Sequence, residues 1–95
     1  MTMDERFEWD EQKAASNLLK HGVSFDEAVH AFDDPDALEV FDTRAEYGEE
    51  RIILTGYNGD GILVVVYTER RVKTRIISAR RASRNERNNY YRQKT

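Results

Sequence analysis

A continuous apolar segment from Ile62 to Tyr67 predicts the central strand of a sheet. Its aliphatic residues follow one another without alternation, which is typical of a strand covered on both faces. From Val72 to Ala79 the pattern alternates, which predicts a second strand with Ile76 and Ala79 on opposite faces. The polar residues Glu69 to Arg71 between the two segments indicate a hairpin turn. We therefore expect two long antiparallel strands in the middle of the fold.

The segment before the sheet has the spacing of two helices. Asp10 suits the N-cap of a first helix that ends near His21, and Gly22 suits the left-handed residue after it. Helical spacing predicts one face that is buried and one that is exposed. The buried face is expected to hold Ala14, Ala15, Leu18, Leu19 and His21, and the exposed face Lys13, Asn17 and Lys20.

A second helix follows after a short turn. Ser24 and Glu27 form a capping-box pattern, and Asp33-Asp34-Pro35 ends the helix. Its apolar stripe comprises Phe25, Ala28, Val29 and Phe32. A further capping box at Ser83 predicts a C-terminal helix to about Arg92, which has few apolar residues and so needs a surface to dock on.

The remaining apolar segments predict further strands. Leu38–Phe41 and Arg51–Tyr57 are strand candidates, and Asn58–Gly61 predicts the tight turn after the second of them. The polar residues 42–50 predict a mobile loop or a hairpin with a long turn between the two strand candidates. The alternating residues Phe7–Trp9 suit a short edge strand. The expected fold class is α+β, with an N-terminal helix pair packed on a mostly antiparallel sheet of three to five strands, and a C-terminal helix.

The size and composition of the chain are consistent with one small domain over residues 1–95. The chain has no cysteine, which excludes disulfides and thiolate metal sites. Its apolar segments are too short to span a bilayer, and no signal-peptide pattern opens the sequence. We therefore expect a cytoplasmic protein without a membrane partner.

Charge divides the chain into two halves. Residues 1–50 hold four Lys or Arg and fifteen Asp or Glu, a net charge of −11, whereas residues 51–95 hold eleven and three, a net charge of +8. A basic half can bind a phosphate backbone even when the whole chain is acidic. The alternative is that the two halves neutralise each other within the fold.

The residue types available for chemistry are cations, carboxylates and two histidines. His21 and His30 lack the spacing of a metalloprotease helix, and nucleotide-binding glycine motifs are absent. These residue types suit cleavage of RNA without a metal or cofactor, because the RNA 2′-hydroxyl is itself the nucleophile. A helix C-terminus favours the protonated form of His21, although a histidine packed at a helix corner is the simpler alternative.

Several segments together resemble one known family. They are FEWD at Phe7–Asp10, KHGVSF at Lys20–Phe25, DDP at Asp33–Pro35, VVYTER at Val65–Arg70 and RIISARRAS at Arg75–Ser83. In this order, and over nearly the whole chain, they resemble the BrnT ribonuclease toxins of bacterial type II toxin–antitoxin pairs.

This resemblance implies a fold similar to RelE and an endoribonuclease that inhibits translation and growth. It also implies a BrnA-type antitoxin, an oligomeric toxin–antitoxin complex, and contact with operator DNA only through the antitoxin. The catalytic candidates that the resemblance implies are Lys20, His21, Glu50, Arg51, Arg70, Arg75 and Arg80. The candidates for RNA binding are Lys13, Tyr67, Arg71 and Arg81. We expect Lys20 and His21 to meet the hairpin arginines around one cation-lined pocket.

Two other functions are compatible with parts of the sequence. In the first, the chain is a non-enzymatic module whose basic hairpin and C-terminal helix bind an antitoxin or transcription regulator. In the second it binds DNA directly, which is disfavoured because the paired helices lie in the acidic half of the chain. For Tyr67, Lys13 and Lys20 the structural alternatives are a buried tyrosine with a bonded hydroxyl and a solvated helix face.

Overall fold

The computed structural model describes residues 5–42 and 48–94. These described residues form five strands and three α-helices. In order they are β1 (Phe7–Glu8), α1 (Glu11–His21), α2 (Phe25–Val29), β2 (Leu38–Asp42), β3 (Arg51–Tyr57), β4 (Ile62–Arg70), β5 (Lys73–Arg81) and α3 (Arg84–Lys94). A 3-10 turn over His30–Asp33 prolongs α2, so the second predicted helix ends where the sequence indicated.

The five strands form one mixed sheet in the order β1-β5-β4-β3-β2. The three pairings among β2, β3, β4 and β5 are antiparallel, as predicted, whereas β1 runs parallel to β5. The Asn58–Gly61 turn is confirmed: the Asn58 side-chain oxygen accepts hydrogen bonds from the backbone N–H groups of Asp60 and Gly61, both at 2.9 Å. Residues 43–47 of the polar segment predicted to be a loop or a long turn lie outside the described part of the chain.

The β4–β5 hairpin differs from its prediction in two ways. Its turn is formed by Arg71 and Val72, with Arg71 in a left-handed conformation at φ 57°, rather than by Glu69–Arg71. A bulge also interrupts the register, because Tyr67 faces Ile76 whereas Val66 faces Ser78. The extra residue reverses the alternation, so Ile76 and Ala79 both point into the same core and the prediction of opposite faces is wrong.

The two faces of the sheet carry different helices. Leu63 and Val65 pack into the main core with α2 and the 3-10 turn, and we call this side the α2 face. Ile62 and Val64 alternate with them and therefore pack on the opposite side, the α3 face, against Tyr90. The predicted need of the C-terminal helix for a docking surface is met there by Tyr90.

Asp34 fixes α3 in this position. Its carboxylate accepts a hydrogen bond from the Tyr90 hydroxyl at 2.5 Å and another from the Tyr57 backbone N–H at 2.8 Å. Burial raises the pKa of Asp34, but the hydrogen bonds from Tyr90, Tyr57 and Asp36 outweigh it and leave the pKa below its ordinary value. Asp34 therefore joins α3, β3 and the end of the 3-10 turn.

Helix α1 packs beside the sheet, against strand β5, and only part of the predicted face is buried: Ala14 packs against the main core, whereas Ala15 and His21 are exposed. Leu18 and Leu19 are 50% and 89% exposed, whereas Asn17 is buried at 6%.

The Asn17 amide lies against the backbone of Ala79: it donates to the carbonyl at 2.7 Å and accepts from the N–H at 3.1 Å. Backbone N–H and C=O groups at a strand edge need hydrogen-bond partners, so a helix that covers the edge must turn a polar residue towards it. The spacing of apolar residues alone does not predict this contact. None of the helices in the described ranges has the length and apolar character needed to cross a bilayer.

Candidate nucleic-acid interface and active site

Parallel pairing of β1 with β5 brings a carboxylate from the start of the chain to the arginine hairpin. Glu8 faces Arg75 in the register, and their side chains form an ion pair at 3.2 Å. Both side chains remain about one third exposed, at 28% and 32%. Arg70 and Arg71 line the same cleft from the hairpin end. We call this site, formed by Glu8, Arg70, Arg71 and Arg75, the arginine cleft.

Strand β4 places a buried threonine beside the arginine cleft. Thr68 on β4 faces Arg75 and is buried, with its hydroxyl donating to the Glu50 carbonyl at 2.6 Å. The neighbouring pair Ile52 and Tyr67 points to the α2 face, so Arg51 and Thr68 point to the α3 face. Arg51 on β3 and Arg75 on β5 therefore lie on either side of Thr68, which is on β4. Their backbones are about 10 Å apart, which is two strand spacings.

A second group of candidates lies along the outer side of β5. Lys13, Lys20 and His21 project from α1 and border a shallow cleft together with Ser16, Asn17, Ile77 and Ser78. We call this the lysine cleft. Asn17 forms its floor and fixes the helix, because its amide binds the Val23 carbonyl at 3.0 Å as well as Ala79. The lysines at positions 13 and 20 flank this anchored residue and so are held beside the strand.

Asp10 lies near one cation of each cleft. As the N-cap of α1 it accepts hydrogen bonds from the backbone N–H groups of Lys13 and Gln12, which lower the pKa of its carboxyl. The positive charges of Lys13 and Arg75 lower this pKa further, so both cations lie near the same carboxylate.

The structure does not bring all the candidates into one pocket. His21 lies eight residues beyond Lys13 on α1, which corresponds to roughly 12 Å along the helix. Arg80 lies five residues beyond Arg75 on β5, roughly 16 Å away. The expected single pocket is thus replaced by a strip of cations along the β1–β5 side of the sheet.

Arg80 and Arg81 are engaged at the far end of that strand. Arg80 makes a bidentate contact with Glu86 of α3, with both distances at 2.8 Å. Hydrogen bonding to Glu86 raises the pKa of Arg80, and the same contact lowers the pKa of Glu86 to about 2 despite its partial burial. Arg81 pairs with Asp60 at 3.6 Å. These two arginines therefore anchor α3 and the Asn58–Gly61 turn.

Tyr67 and Glu50 belong to a different part of the surface. Tyr67 is buried on the α2 face, where its hydroxyl donates a short hydrogen bond to Glu39. Burial, followed by this bond, raises the pKa of Tyr67. Tyr67 and Glu50 line a groove beside β2, which we call the acidic groove. Its lining also includes Glu39, Val40, Phe41, Ile52 and Glu69.

Sequence reasoning missed two residues of the site. Glu8 alternates with Phe7 and Trp9, which placed it on the opposite face, but nothing local linked it to a residue 67 positions later. Asn17 was assigned to the exposed face because it shares the helical spacing of Lys13 and Lys20, but it is buried. Across residues 5–42 and 48–94, no group of three or more His, Cys, Asp or Glu side chains has the arrangement of a metal site.

Comparison with known proteins identifies the family. The family model described as the ribonuclease toxin, BrnT, of a type II toxin–antitoxin system matches residues 9–86. No curated protein matches the chain significantly. The matched range includes α1, α2 and every strand except β1, and so carries most of the cationic strip. The chain therefore belongs to the BrnT family of ribonuclease toxins of type II toxin–antitoxin systems.

Proposed function

We propose that this BrnT protein is a metal-independent endoribonuclease that binds single-stranded RNA along the β1–β5 side of its sheet. The observation that carries the proposal is the Glu8–Arg75 pair at 3.2 Å with Arg70 and Arg71 lining the same cleft. A partly exposed carboxylate beside several guanidinium groups combines a proton acceptor with phosphate-binding cations. This combination meets the needs of RNA cleavage through the 2′-hydroxyl.

In this mechanism Arg75 on β5 and Arg51 on β3, which lie on either side of β4, bind the scissile phosphate. Glu8 accepts the proton of the 2′-hydroxyl, and the 2′-oxygen attacks the phosphorus. The bond from phosphorus to the 5′-oxygen breaks, which leaves a 2′,3′-cyclic phosphate. Arg70 stabilises the negative charge on the leaving oxygen, which takes its proton from water because the cleft is open to solvent.

The lysine cleft extends the binding surface. Lys13, Lys20 and His21 contact phosphates that neighbour the scissile one, and Arg71 contributes from the hairpin turn. Arg80 and Arg81 are paired with Glu86 of α3 and Asp60 of the turn, and no RNA contact is assigned to them. Glu50 and Tyr67 lie outside the proposed RNA path.

In the cell, this cleavage would inhibit translation and growth in the cytoplasm until a BrnA-type antitoxin neutralises it. The antitoxin would also be the route by which an oligomeric complex reaches operator DNA. Support for these roles comes from family membership, because type II systems pair a toxin with a protein antitoxin.

The direct test is cleavage of single-stranded RNA by the purified protein in the presence of a strong chelator. The wild type should cut the RNA and leave 2′,3′-cyclic phosphate ends. Arg75→Ala should cut about 100- to 1,000-fold more slowly, because a group that stabilises the transition state is lost. Arg84→Ala, which removes an exposed arginine from α3, should retain the wild-type rate. Loss of wild-type cleavage in chelator, or full activity of Arg75→Ala, would refute the proposal.

A further inference from the structure

Strand β2 forms the second edge of the sheet, and it has two exposed apolar residues. On its outer side no strand pairs among the residues that the structure describes. Val40 is 60% exposed and Phe41 65% exposed, and they point to opposite faces of the strand. An apolar edge strand with unpaired backbone groups readily adds another strand, so proteins usually cover or protect such an edge.

The acidic groove lies directly beside this edge. It has a volume of about 400 Å³ and combines the apolar residues Phe41 and Ile52 with three carboxylates. These carboxylates belong to Glu39, Glu50 and Glu69. Glu39 is held in place by the Tyr67 hydroxyl. No lysine or arginine is found among its lining residues in the described ranges.

The charge of the groove selects among the possible occupants. RNA is disfavoured, because its phosphates would face the three carboxylates of the groove. A second copy of the chain is disfavoured, because pairing two β2 edges would bring the Glu39 side chains of both copies to the same small interface. A segment with positive charges and an apolar side chain complements both the carboxylates and the exposed apolar surface.

We infer that the β2 edge and the acidic groove together bind an extended segment of a partner protein by strand addition. The segment carries Lys or Arg on both sides of an apolar residue, which packs against Phe41 and Ile52. Backbone hydrogen bonds to β2 supply affinity, and the groove supplies specificity. A partner segment of about five residues, or roughly 17 Å, matches the length of β2. The inference rests on the proposed function in one respect, since the antitoxin provides this segment.

Two double variants of the full chain are compared for their affinity for the antitoxin. The antitoxin used is the protein encoded beside the gene of this chain. Val40→Lys with Phe41→Lys makes the edge basic at two exposed positions. Leu19→Lys with Val72→Lys introduces the same charges on α1 and in the β4–β5 turn, at positions that are 89% and 93% exposed. Antitoxin affinity is measured by titration calorimetry, folding by thermal unfolding, and RNA cleavage with and without antitoxin.

The edge variant should bind the antitoxin at least 100-fold more weakly than the wild type, keep its RNA cleavage, and escape neutralisation. The control variant should bind the antitoxin within threefold of the wild type. The inference would be overturned if the edge variant bound the antitoxin within threefold of the wild type. It would also be overturned if both variants lost antitoxin affinity equally. Because binding and cleavage are measured separately, a wild type that binds antitoxin without cutting RNA would refute the proposed function alone.

Discussion

The two edges of the sheet end in different ways. On the β5 side, α1 covers the strand, and the Asn17 amide takes the place of a neighbouring backbone by bonding both polar groups of Ala79. On the β2 side the strand ends the sheet with Val40 and Phe41 exposed. The first edge carries the lysines and arginines of the proposed RNA surface, and the second carries carboxylates.

This difference gives a spatial meaning to the charge division along the chain. The basic and acidic residues do not simply neutralise one another, since cations collect along one side of the sheet and carboxylates line a groove at the other. A covered edge gives rigid support to catalytic groups, whereas an uncovered edge is suited to binding another chain. The small fold therefore offers two surfaces of opposite charge to two kinds of partner.

The largest effect is expected from removing the proposed base on the basic side. Glu8→Gln should lower the rate of RNA cleavage by about 100- to 10,000-fold, because the amide cannot accept the 2′-hydroxyl proton. RNA affinity should stay the same or rise, since a negative charge leaves the cleft. Single-turnover rates and fluorescence anisotropy separate the two quantities, with the exposed Asp26→Asn as the control. A Glu8→Gln rate close to that of the wild type would exclude Glu8 as the base.

The next effect concerns the edge of β5 that α1 covers. Asn17→Ala should lower the free energy of unfolding by about 2 to 4 kcal/mol, because buried backbone groups of Ala79 and Val23 lose their partner. Leu19→Ala should change it by less than about 0.5 kcal/mol, since Leu19 is exposed. Urea denaturation measures both, and amide exchange at Ala79 should become faster in Asn17→Ala only. If Leu19→Ala lowered the free energy of unfolding more than Asn17→Ala, the helix face predicted from apolar spacing would be the buried one.

A smaller effect should appear in the salt dependence of RNA binding. Lys13→Gln or Lys20→Gln should each reduce the slope of log affinity against log salt by about 0.7, the value for one lost phosphate contact with a single strand. Asn88→Gln on α3 should leave the slope unchanged. Titrations between low and moderate salt measure these slopes. Unchanged slopes in both lysine variants would place the RNA outside the lysine cleft.

The smallest effect concerns pH and the Arg80–Glu86 contact. The folded pKa of Glu86, about 2, lies below its ordinary value of 4.5, so ionised Glu86 stabilises the fold above pH 4.5. That contribution is lost as the pH falls from 4.5 towards 2. Glu86→Gln should therefore lower stability by about 1 kcal/mol at pH 7, and its difference from the wild type should shrink in acid. A difference that does not vary with pH would contradict this ionic role.

Patterns within single elements were predictable from the sequence. The capping box at Ser24, the Asn58–Gly61 turn and the strand Arg51–Tyr57 depend on neighbouring residues, and the structure confirms each of them. Membership of the BrnT family was also visible in the ordered motifs, and the family match confirms it.

Features that depend on pairing were not predictable. The bulge opposite Val66 and Tyr67 reverses the faces of β5, and it exists only in relation to β4. The contact of Glu8 with Arg75 requires a parallel pairing across most of the chain. The burial of Asn17 depends on α1 packing against a strand edge, where a polar side chain is favoured. Hydrophobic spacing contains no information about any of these pairings.

The central claim is that RNA binds along the β1–β5 side of the sheet. NMR chemical-shift mapping with a single-stranded 2′-deoxy oligonucleotide, which lacks the nucleophile and cannot be cut by this mechanism, tests it most directly. The account predicts shifts at Lys13, Lys20, Arg70 and Arg75, with Val40 and Phe41 unchanged. Shifts centred on β2 and the acidic groove, with Arg75 unaffected, would contradict it.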